Sequence, residues 1–299
     1  MTDTDPLAVA VRFALYATLG LSFGFPLFWL YGVGVGARGA LPLRGLLCVA
    51  ALGGLIASML GITVLAASMS GIALAEVDPA SILMVAKLPG VGTAWLVRVA
   101  ALAMIVIVAL WAKPTRRLAM VATTLGGSAL ASLAWAGHAA MSEGGLGYLH
   151  LAADIAHLFA ASAWLGALVA LIMLAGSSVV AATVHQAATN FAVTGSFIVG
   201  VLIVTGLINA WAIVGPDRIV AALGGTYGRL LVIKLLLFAA MLALAARHRF
   251  TLVPMLAQSG DLRPAQALLR RSIAVEATAA VAILAIVAWL GMLDPVGAA

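Results

Sequence analysis

The chain has 299 residues, of which 65% are hydrophobic and only 9% charged, with a mean hydropathy of +1.19; soluble domains carry about 25% charged residues, so a water-soluble fold is excluded. The formal net charge of +6 and the pI near 10.1 report membrane topology and need no nucleic-acid partner. One cysteine, Cys48, excludes an intrachain disulfide and a CxxC metal or redox motif.

A helix crosses the hydrocarbon core in about 20 apolar residues. Eight such runs follow one another at 7–31, 45–74, 94–111, 118–140, 149–175, 188–214, 230–246 and 272–293. They predict an all-α fold: one integral membrane domain over 1–299, a polytopic bundle of eight transmembrane helices in the lipid bilayer. The first run opens with "MTDTDPLAVAVRFALY", which has acids where a signal peptide needs a basic region, so it reads as a retained helix. The connections are short, the longest running from Arg247 to Arg271. They leave no room for a nucleotide-binding domain and contain no Gly-rich phosphate loop, so ATP hydrolysis on this chain drives nothing.

Connections after the first, third and seventh runs hold Arg38, Arg44, Lys113, Arg116, Arg117, Arg247, Arg249, Arg263, Arg270 and Arg271, ten of the sixteen basic residues. The opposite side holds Asp3, Asp5, Glu76, Asp78, Glu143, Asp217 and Asp294. The positive-inside rule then places both termini on the periplasmic side. "VGTAWLVRVAAL" (91–102), entering the third run, matches "YGRLLVIKLLLF" (227–238), entering the seventh, with Arg98 over Lys234. Four runs separate them, consistent with a parallel four-plus-four repeat.

Polar chemistry concentrates in the later runs. The fourth ends in "AWAGHAAMSEGG", setting His138 and Met141 about one turn apart at its outer end. The fifth carries His150, Asp154 and His157 at steps of four and three, which puts all three on one helix face. Trp164 continues that face one heptad on, Asn209 lies in the last turns of the sixth run, Lys234 in the outer half of the seventh, and Glu276 in the inner half of the eighth. Two imidazoles with a thioether and a carboxylate nearby suit copper in either oxidation state. Calcium or magnesium would want several oxygens, and Asp154 alone supplies a carboxylate there.

Each residue has a plainer reading. His138 and His150 are near enough to the interface to be wetted side chains, Asp154 and Lys234 can form a structural ion pair, and Trp164 can be bulk. His157 resists this, because an ionisable group two turns into a membrane helix is costly without a partner. Glu276 stands alone in "SIAVEATAAVAILAIVAWL", serving either a structural hydrogen bond or transport.

"GHAAM" (137–141), "DIAHLFAASAWLGAL" (154–168), "GLINAW" (206–211), "TYGRLLVIKLLLFAAMLALA" (226–245) and "LRRSIAVEA" (269–277), with "GTAWLVR" (92–98), resemble the recurring segments of the copper-resistance protein D family, CopD and PcoD. The resemblance implies an eight-helix bacterial inner-membrane protein of copper homeostasis, a transporter of copper ion (Cu+ or Cu2+) working beside a periplasmic copper-binding CopC-type protein. One departure is "ARHRF" (246–250), where the family pattern suggests an asparagine before the arginine; at the cytoplasmic edge it is expected to leave the site untouched.

The leading expectation is therefore copper transport without catalysis: capture by His138, Met141 and His150, then passage to Asp154 and His157, with Glu276 as a lower station or proton acceptor. The alternative is a haem b membrane redox protein of the cupric-reductase kind, with His138 and His157 as axial ligands on facing helices. A third is an assembly or sensing partner whose histidines only bind metal.

Overall fold

A computed structural model of the chain describes residues 5–136, 144–177, 181–215, 224–252 and 262–293. Its main helices are α1 (Pro6–Tyr31), α2 (Leu43–Ser70), α3 (Pro79–Ala86), α4 (Val91–Trp111), α5 (Arg116–Ala131), α6 (Gly144–Gly176), α7 (Ala181–Val214), α8 (Thr226–Arg247) and α9 (Leu262–Leu290). All but the short α3 are long and apolar enough to cross a membrane, and no strand occurs among the described residues. The chain is thus an all-α, multi-pass membrane protein. Predicted residues Asp3, His138, Met141, Glu143, Asp217 and Asp294 lie outside the described residues.

Element ends follow local chemistry. Asp5 caps α1 by accepting from the Leu7 amide at 2.9 Å, with Pro6 at the first helical position. α2 stops at Ser70 because Gly71 turns left-handed, with φ 66. Hydropathy alone carries this span to residue 74, since nothing polar marks the break. Asp78 caps α3 through the Ser81 amide, and hydrogen bonding with Ser81 holds its carboxyl below the usual carboxylate range. Arg44, at the start of α2, donates to the Ala109 and Leu110 carbonyls at 2.7 and 2.6 Å, satisfying orphan acceptors at the end of α4.

The centre of the bundle is α1, packed on α2, α5, α6 and α9; α6 also carries α7, and α8 lies against α9. Lipid supplies no hydrophobic drive between spans, so close backbone approach matters. At the α1–α6 crossing a side chain on Gly24 would overlap the Ser162 carbonyl, and one on Gly166 would overlap Gly24 itself. Gly20 opposes Ser162 just as Gly24 opposes Gly166, so α1 and α6 run parallel and begin at the same end of the bundle. Pro26 inside α1 frees the Ser22 carbonyl from its helical partner. Gly126 of α5 packs directly on that carbonyl, where only a residue without a side chain fits.

Candidate functional site

The polar face expected on α6 exists, and it meets α7, α8 and α9. His150, near the start of the helix, is buried at 3% exposure. Asp154 and His157 are half-buried one and two turns further on. Lys234 of α8 lies within Coulombic reach of both Asp154 and His157.

His157 is held by a residue that sequence reasoning does not single out. Thr205 of α7 donates its hydroxyl proton to the Val201 carbonyl at 2.6 Å, the usual back-bond of threonine in a membrane helix. In that arrangement Oγ1 is placed to accept from His157 Nδ1, which lies 2.9 Å away. In the tautomer that donates from Nδ1 to Thr205, the neutral ring keeps its lone pair on Nε2. The ring also rests on Gly206, where a Cβ would come within 3.6 Å of Cε1, so the "GLINAW" segment forms the floor beneath it. Asn209, one turn beyond Thr205 on α7, has a buried Oδ1 without a hydrogen-bond partner among the described residues.

Trp164 lies two turns below His157. Its indole Nε1 donates to Glu276 Oε1 at 2.7 Å, linking α6 to α9. Seven residues at 1.5 Å per residue put this level about 10 Å from His157 along the axis. Glu276 is fully buried, at 0% exposure, but it does not stand alone. Its Oε2 lies 3.2 Å from His248 Nδ1, at ion-pair range but without hydrogen-bond geometry, and His248 Nε2 lies 2.7 Å from Ser272 Oγ. His248 opens a π-helical turn, His248–Leu252, that continues α8. The expectation that "ARHRF" leaves the site untouched is therefore corrected: the histidine of this segment is a direct partner of Glu276. A cavity of about 290 Å³ lined by Trp164, Phe191, Ser196, His248 and Arg249 lies beside this cluster.

The face thus holds three polar levels about two turns apart: His150; His157 with Thr205, Asp154 and Lys234 near it; and Trp164 with His248, Ser272 and Glu276. Among the described residues no three His, Cys, Asp or Glu side chains converge as a ready-made metal cage. His138 and Met141, expected to complete the outer set, lie outside the described residues.

Residues 1–148 match the family described as Copper resistance protein D-like, N-terminal domain, and residues 185–290 match Copper resistance protein D. The chain is 40% identical, over 97% of both proteins, to Copper resistance protein D of Pseudomonas syringae pv. tomato. It is also 31% identical to Inner membrane protein YebZ of Escherichia coli strain K12, over 43% of this chain and 44% of that one. No solved structure matches.

Proposed function

This chain belongs to the copper-resistance protein D family, and on that premise we propose that it carries copper across the bacterial inner membrane along the polar face of α6. Copper enters from the periplasmic end at His138, Met141 and His150, passes to His157 with Asp154 beside it, and continues toward Glu276. His150 and His157 are seven residues apart, about 10 Å along the axis, too far to clasp one ion together. They belong to successive stations.

The observation that carries this reading is the 2.9 Å hydrogen bond between His157 Nδ1 and Thr205 Oγ1. Ligating histidines characteristically donate their second ring N–H to a fixed acceptor, which orients the ring and raises its basicity. Thr205 supplies that acceptor, leaving Nε2 as the nitrogen for the ion. A histidine placed only for packing does not need its second nitrogen kept free. Asp154 serves as ligand or as a nearby negative charge, balanced by Lys234 when copper is absent. Glu276, with Trp164 and His248 on its two oxygens, is the lower station or the proton acceptor.

His157→Ala tests the reading. It is expected to lose vesicle uptake while retaining metal at the outer station; a variant matching wild type in both copper titration and uptake refutes it. A visible spectrum of the purified wild-type protein accompanies the test, since a Soret band would favour the haem b alternative over transport.

A further inference from the structure

A second cavity, mostly apolar, lies on the other flank of α1, away from the α6 polar face. It measures about 570 Å³ and is bounded by α1, α2, α4 and the end of α9, with Leu65, Trp95 and Leu133 among its apolar walls and Arg12 and Arg98 as its cationic groups. Both arginines sit inside membrane-spanning helices, where a charge is expensive unless it is answered. Arg98 is only 7% exposed. Its Nε and Nη2 donate to Ser132 Oγ and the Ser132 carbonyl at 2.9 and 3.4 Å, both neutral acceptors. Arg12 has a buried Nε with no hydrogen-bond partner among the described residues, a long 3.8 Å contact from Nη1 to Met292 Sδ, and its guanidinium lies against Gly291. Neither arginine forms an ion pair with a described residue; the one carboxylate on the wall, Asp5, is engaged in capping α1.

Two guanidiniums in one apolar chamber, with fork-shaped donors left over, fit an oxyanion bidentately. The walls fit something larger than a bare ion. We propose that this cavity binds a phosphate-bearing ligand, its oxyanion between Arg12 and Arg98 and its apolar body along α2 and α4. The cavity lies at the end of the bundle where α1 begins, with Asp5, Leu7 and Ala8 on its wall. The same oxyanion chemistry admits either an anionic phospholipid or free phosphate.

The full-length protein in a neutral maltoside detergent is titrated separately with phosphatidylglycerol, phosphatidylcholine of identical chains, and inorganic phosphate. Binding is read by native mass spectrometry and by thermal unfolding. Retention of phosphatidylglycerol over phosphatidylcholine is expected, and Arg98→Gln should weaken it about tenfold or more while leaving phosphatidylcholine unchanged. Should that variant not fold, Arg12→Gln, at a half-buried position, carries the same expectation. Phosphate alone stabilising the protein and displacing phosphatidylglycerol supports the site with a free anion as its ligand. Equal retention of both lipids by wild type and by Arg12→Gln, with no effect of phosphate, overturns the proposal.

Discussion

Glu276 offers the sharpest quantitative test, because its two oxygens face two different helices. Removing His248 as His248→Ala leaves Oε2 buried with nothing 3.2 Å away. Leaving a buried polar group without its partner costs about 1–3 kcal/mol, so the cost is about 2 kcal/mol; His248 is itself 13% exposed and a cavity of about 290 Å³ adjoins it. Glu276→Gln keeps a carbonyl oxygen for the Trp164 indole and removes the charge, costing about 1 kcal/mol. In the double variant no charge is left orphaned, so its cost should undershoot the sum of the singles by about 1.5 kcal/mol. Four proteins unfolded thermally in the same detergent measure this. At about 2–4 °C per kcal/mol for chains of this order, the single variants should lie a few degrees below wild type and the double close to His248→Ala. Additivity within about 0.5 kcal/mol would show that the 3.2 Å approach carries no energetic coupling, and the α8–α9 link would be packing alone.

Three further outcomes follow from the same geometry. Thr205→Val removes the acceptor for His157 Nδ1 and should weaken copper at the His157 station about 10–100-fold, with Thr205→Ser restoring it, read by competition against a chromophoric chelator; equal affinity in all three proteins removes the tautomer argument. Asp154→Asn should lower copper retention and vesicle uptake, whereas wild-type values for both would assign Asp154 to its interaction with Lys234 alone. Gly166→Ala forces a side chain into the Gly24 backbone and should cost about 1–3 kcal/mol in thermal stability, while Gly200→Ala on α7, where nothing lies within 4 Å, should be neutral; equal stability of the two would contradict the close α1–α6 crossing.

What the sequence disclosed and what it hid divide along the range of the interactions. The His150, Asp154 and His157 face is a matter of 3.6-residue periodicity within one helix, and hydropathy marks each of the eight spans by its own residues. Contacts between helices leave weaker traces. Thr205 in an apolar run predicts a back-bond to its own helix, and it makes that bond; its second lone pair, turned toward a histidine 48 positions away, has no local signature. His248 is obscured by its neighbours, since arginines on both sides mark a cytoplasmic edge. The π turn that follows α8 nevertheless lets the ring reach back to Ser272 and Glu276. One clue is present on α9 itself: Ser272 and Glu276 are four residues apart on a single face, an arrangement that asks for a polar partner from another helix. The same reasoning applies to Arg12 and Arg98. Each alone reads as a cation near a helix end, reaching toward water. Their meaning lies in the folded bundle bringing both to one chamber without a paired carboxylate among the described residues, where charge compensation becomes a question of what binds.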